Sequence, residues 1–105
     1  MSDLRIVMTT IGEDRADELA RTLVDERLAA CVNVHGPMIS TYRWKGTVER
    51  EPERQIVIKT TAERLPALEA RLREIHPYEL PELIVIAPDA VSAAYEQWVR
   101  EQTQP

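Results

Sequence analysis

"AACVNVHGPMISTYRWKGTVEREPERQIVIKT", residues 29–60, is the stretch whose reading decides the fold. Its first part has a period of two. Ala30, Val32 and Val34 fall on one face and Cys31, Asn33 and His35 on the other, the alternation of a strand with one buried side. Gly36-Pro37 breaks this pattern. Proline has no N–H to give to a ladder, so the strand is expected at a sheet edge or bulged at that point. Residues 40–44 read as strand again, and Lys45-Gly46 is a tight turn in which glycine supplies the positive φ. The return strand crosses the core with residues 55–60, and the charge run EREPER (49–54) reads as a solvated arm. The hairpin is longer than one small sheet needs, so its tip is expected to contact another subunit.

Outward from the hairpin, the patterns are equally distinct. Residues 4–11, LRIVMTTI, are rich in β-branched side chains and apolar on both faces, as in a central strand. From Glu13 the period becomes helical, with Ala16, Leu19, Ala20, Leu23 and Leu28 recurring on one side. A second helix is predicted over residues 65–75, with Pro66 in its first turn and the stripe Leu65, Leu68, Leu72 and Ile75. Pro77 disfavours helical geometry at His76 and ends it. ELIVIA (82–87) reads as a short strand buried on both faces. A last helix follows Pro88, with Asp89 or Ser92 as its cap and Trp98 in the core beneath it, and the tail TQP is expected to fray. The order β-α-β-β-α-β-α matches an α+β, ferredoxin-like sandwich: an antiparallel sheet, two helices on one face, a long hairpin and an extra C-terminal helix. The second face is left for the last helix and a neighbouring subunit to cover.

Size and composition bound the functional classes. A chain of 105 residues is expected to form one domain, 1–105, and one this short gains from oligomerisation. With 44% hydrophobic and 30% charged residues it has a globular composition. A net charge of −5, with no clustering of Lys and Arg, argues against a nucleic-acid partner. One cysteine and two histidines exclude an internal disulfide and a Cys-rich zinc site. Neither a signal peptide nor a membrane-spanning run is evident, so a reduced, cytoplasmic protein is expected.

Five stretches carry a resemblance, in order and with matching spacing: LVDERLAACVNV (23–34), STYRWKGTVE (40–49), IVIKT (56–60), IHPYELPELIVI (75–86) and AYEQWV (94–99). Together they resemble the divalent-cation tolerance family CutA over essentially the whole chain. The resemblance implies a ferredoxin-like domain assembled into a homotrimer, with the hairpin packed on neighbouring subunits. It also implies an architecture similar to the PII signalling proteins and a link to tolerance of copper and other divalent metals. Two departures stand out. His35 occupies a position that is more often apolar, and APDAVSAAY (87–95) lacks the Gly-Asn common there.

The residues that could carry chemistry are few. Thiolate and imidazole suit copper, with carboxylates as supplementary ligands, so Cys31, His35, His76, Glu79 and Glu82 are eligible. The resemblance points to Cys31, His76 and Glu79 as the metal set, for Cu(II) or another divalent cation, with no cofactor required. Pro77 and Pro81 hold their segment extended, so His76 and Glu79 do not stack as they would on a helix. Further donors would have to come from Cys31 or from the next chain. The plainer readings are a buried, inert thiol at Cys31 and a helix-end histidine at His76. Tyr42, Trp44, Tyr78 and Glu82 are expected at a cleft or interface, and an alternative role as a small-molecule-sensing or interaction scaffold would place its ligand in an inter-subunit cleft lined by Tyr42, Trp44, His76, Tyr78 and Glu79. A Cys31–His76 nucleophile pair would need contact at about 3 Å. No oxyanion hole or glycine-rich phosphate loop accompanies it, so no enzymatic activity is expected.

Overall fold

The structure is a computed structural model and describes residues 2–105. Its elements run β1 (Leu4–Ile11), α1 (Glu13–Asp25), β2 (Cys31–Trp44), β3 (Thr47–Thr61), α2 (Leu65–Ile75), β4 (Ile84–Ile86) and α3 (Ala93–Gln102), with a 3₁₀ turn at Ala62–Arg64 before α2. The four strands form one antiparallel sheet in the order β2-β3-β1-β4. This is the expected α+β sandwich. β1 is an interior strand and β2 an edge, as their residue patterns imply.

Strand alternation divides the core between the two faces of the sheet. Val7 and Ile11 of β1 and Ile56 and Ile58 of β3 meet Ala16, Leu19 and Leu23 of α1 and Leu68 and Leu72 of α2. Leu4 and Ile6 point the opposite way, where Val99 of α3, Ala30 and Val91 cover them. The first helix ends as its sequence does not advertise. Arg27 takes a left-handed φ of 59°, and the Leu28 N–H reaches back to Leu23 O at 3.0 Å. Leu28 therefore enters the core from beyond the helix, as a reversal motif with its own apolar contact.

The hairpin carries the decisive irregularity. His35 pairs with Gln55 but Met38 pairs with Glu53, so β2 contains one extra residue around Gly36-Pro37. Gly36 has φ 127°, and a Cβ there would lie 2.9 Å from Arg54 Cδ. Only glycine fits this position. Because the side-chain period is two, the extra residue reverses the facing of everything after it. Cys31 and Asn33 occupy the sheet face away from α1 and α2 before the bulge, and Ser40, Tyr42 and Trp44 occupy it afterwards. At the tip both Lys45 (φ 50°) and Gly46 (φ 83°) are left-handed, so the turn uses two such residues where the sequence suggested one. The hairpin extends the molecule to 45 Å, with a radius of gyration of 14.4 Å against about 13 Å for a compact chain of this length.

Four expectations are corrected. β4 is three residues long and exposed rather than doubly buried, with Ile84 at 47%, because it is the outer strand on its side. Trp98 is likewise exposed at 42%; its neighbour Val99, 100° further round the helix, is the buried anchor. The tail does not fray at Thr103, which is 2% exposed and donates its hydroxyl to Val99 O at 2.8 Å. Within the charge run Glu53 is buried, at 7% exposure. Leu68 is fully enclosed, so Leu68→Ala is expected to cost about 2–5 kcal/mol in urea denaturation followed by circular dichroism.

Candidate functional site

The segment joining α2 to β4 lies against the base of the hairpin and is held there by polar side chains. Pro77 stops α2 at His76, whose N–H still closes on Leu72 O at 2.8 Å. The His76 ring is buried, and both of its nitrogens are engaged. Nδ1 accepts the Tyr78 N–H at 3.2 Å, which requires a lone pair there. Nε2 therefore carries the proton and donates to Thr10 O at 2.8 Å, beyond the point where the β1–β4 ladder stops. The Tyr78 ring stands edge-on to the imidazole at 4.7 Å. Its hydroxyl donates to Glu53 Oε2 at 2.5 Å, which explains how that carboxylate is buried inside a charge run. Gln55 Nε2 donates to both Glu82 Oε2 (2.8 Å) and Thr9 O (2.9 Å), tying the far end of the segment to β1 and β3.

Between this segment and the outer half of the hairpin lies a cavity of about 670 Å³. The bulge turns Ser40, Tyr42 and Trp44 toward it, the connecting segment supplies Tyr78, Glu79, Leu80, Pro81 and Glu82, and Thr10, Arg43 and Glu53 complete the lining. Lys45 Nζ sits 5.5 Å from the Trp44 ring centroid and 3.8 Å from Glu79 Oε2. Desolvation, then the hydrogen bond to Glu53, pushes the Tyr78 phenol well above the ordinary tyrosine value. Tyr42 is shifted the same way, by desolvation first and then by the charges of Glu51, Glu49 and Glu53.

The structure thus gathers Tyr42, Trp44, Tyr78, Glu79 and Glu82 at one cleft within a single chain and adds Glu53, while His76, expected in its lining, is instead buried against Thr10 and Tyr78. Sequence reasoning missed Glu53 because its partner lies 25 residues away. The metal set is not gathered. Cys31 pairs with Lys59 and Thr10 with Gln55 on opposite sides of β3, so the thiol and the His76 contact are separated by four residues along β3, roughly 13 Å, and by two strand spacings across it. The half-buried Cys31 thiol lies 3.9 Å from Asn33 Oδ1. Glu79 is exposed beside Lys45, and His35 is exposed next to the bulge. Among the described residues, no group of three or more His, Cys, Asp or Glu could hold a metal ion. Within one chain Cys31, His76 and Glu79 do not fit a cation.

An antiparallel ferredoxin-like sandwich with a bulged, over-long hairpin and a cleft at its base defines a structural class before any sequence is compared. Residues 5–102 match the family model "CutA1 divalent ion tolerance protein". The chain is 38% identical over 98 residues to the divalent-cation tolerance protein CutA of Thermus thermophilus, covering 93% of this chain and 95% of that one. It is 41% identical over 97 residues to Protein CutA of Homo sapiens, covering 92% of this chain and 54% of that longer protein. Among solved structures, CutA from Synechococcus elongatus superposes with a TM-score of 0.93 at 45% identity, covering 99% and 93% of the two chains. The same protein complexed with a Bis-Tris molecule gives 0.88 at 45% identity, covering 97% and 95%. The chain belongs to the CutA divalent ion tolerance family. That description is one of ion tolerance rather than of a catalysed reaction, in agreement with the non-enzymatic reading. No helix among the described residues is long and apolar enough to cross a membrane.

The raised Tyr78 ionisation sets a pH dependence. Below the ordinary tyrosine value of about 10, the folded and unfolded chains both keep the phenolic proton and the contribution to stability is whole. Above it the unfolded chain loses the proton first, so stability falls as pH rises. Urea midpoints are expected to drop between about pH 9 and about pH 11. Tyr78→Phe should shrink that drop while costing about 1–3 kcal/mol at the lower pH, because Glu53 loses its donor. An undiminished drop in the variant would assign the effect to another group.

Proposed function

We propose that the chain works as a cytoplasmic homotrimer that confers divalent-cation tolerance by binding, with Cu(II) the first cation of interest, and that the assembly serves in signalling. The observation that carries the assembly is β4. Ile84, Val85 and Ile86 form an apolar outer strand, exposed at 47%, 39% and 42%, with Tyr95 and Trp98 exposed on α3. An open apolar edge invites uncontrolled pairing unless it is covered. Identical copies arranged around a closed axis cover such edges without growing into a filament. Three copies are what the resemblance to CutA implies, and the projecting hairpin is suited to reach a neighbour. Sedimentation equilibrium is expected to give three times the 12.0 kDa chain mass, and Ile84→Arg to lower it. A monomeric wild type would overturn the proposal.

A weak cation site, on this reading, is completed only between subunits by Cys31 and Glu79, which stay apart in one chain, while His76 is held at both ring nitrogens within its own chain. Calorimetric titration of Cu(II) into the trimer and into a Cys31→Ser/Glu79→Gln variant tests it. Weaker binding by the folded variant is expected. Equal affinities would remove both residues from the site.

A second reading, a small-molecule-sensing scaffold, is favoured by the cleft itself. Its volume of about 670 Å³ suits a small-molecule ligand, and the Synechococcus elongatus relative has been solved complexed with Bis-Tris.

A further inference from the structure

We infer that the hairpin cleft is a receptor for a small organic ammonium ion bearing a hydroxyl group, and that Lys45 is its built-in competitor. This rests on the small-molecule reading of the cleft and names the class of ligand. The walls combine aromatic rings, Tyr42, Trp44 and Tyr78, with the carboxylates Glu53, Glu79 and Glu82, against a single cationic lining residue, Arg43. Such a surface disfavours a phosphate or carboxylate ligand, and it attracts a cation both through ring faces and through charge.

Two observations go beyond the acidic lining. The first is that an ammonium group already lies beside the cleft, against two of its lining residues. Lys45 Nζ lies 5.5 Å from the Trp44 ring centroid and 3.8 Å from Glu79 Oε2, so the chain's own side chain shows that ring and carboxylate can be shared by one cation. The Lys45 side chain is 72% exposed and Glu79 75%. A pair this open is held weakly and is readily displaced. The second is Glu53, buried to 7% exposure yet lining the cavity. Tyr78 holds its Oε2, while Oε1, which takes no hydrogen bond from a described residue, is not enclosed and stays reachable by solvent. A fixed carboxylate with one oxygen free is a ready acceptor for a ligand hydroxyl or N–H.

Choline and its uncharged isostere 3,3-dimethyl-1-butanol separate charge from shape. Ligand-observed saturation-transfer NMR on the full-length protein is expected to show saturable choline binding, with the isostere at least about tenfold weaker. Lys45→Met should tighten choline binding about two- to fivefold, the loss of an exposed cation–π competitor. Glu53→Gln should weaken it, and Trp44→Leu offers the same test should the first variant fail to fold. An isostere that binds as well as choline overturns the cation assignment and leaves the cleft reading standing. Binding of adenosine monophosphate without choline does the same. Absence of binding by all three probes removes both. Unchanged choline affinity in Lys45→Met overturns the competitor role.

Discussion

One extra residue in β2 governs the rest of the molecule. Without the irregularity at Gly36-Pro37, the register that sets Val32 and Val34 against the helices would carry on to the tip. Tyr42 and Trp44 would then face the same side as the core helices, beyond the reach of any helix to cover them. The bulge lets one continuous hairpin serve two purposes. Its inner half closes a core with α1 and α2, and its outer half turns aromatic side chains toward the segment after α2. The demand on sequence is narrow, since the left-handed φ and the close approach of Arg54 leave room only for glycine at position 36.

The connecting segment fits around this change of facing. His76 closes a β1 carbonyl and orients Tyr78, Tyr78 satisfies Glu53, and Gln55 ties Glu82 to the same strand. For the buried groups, Glu53 and His76, losing such a partner would carry a desolvation cost of about 1–3 kcal/mol. Thr9 Oγ1 is the one buried side-chain atom that finds no partner among the described residues. The His76 imidazole, attractive as a ligand when only its residue type is known, is committed at both nitrogens to holding the backbone together.

Much of the fold was legible because it depends on local periodicity. The alternation of residues 30–35, the helical stripes of α1 and α2 and the proline stop at Pro77 all act within a few positions of themselves. The failures share a physical cause. ELIVIA is apolar whether its partner is the same chain or another, and hydrophobicity alone does not say which, so β4 read as buried. Trp98 read as core because it is large, while the smaller Val99 fits the space over Leu4 and Ala30. At the cleft, His76, Tyr78 and Glu79 were visible as polar groups that connectivity does not require, and the hairpin's Tyr42 and Trp44 as packing or interface groups. Glu53 was hidden inside EREPER because its burial depends on a tyrosine far along the chain.

The division of β3 has a consequence for how such a protein can diversify. Ile56 and Ile58, its deepest apolar anchors, lie in the inner half, whereas residues 47–52 place no buried side chain in either core cluster. The distal arm is therefore a region where substitutions trade one surface chemistry for another with little consequence for folding. Descendants of one ancestor could drift apart in what they recognise while their cores stay superimposable.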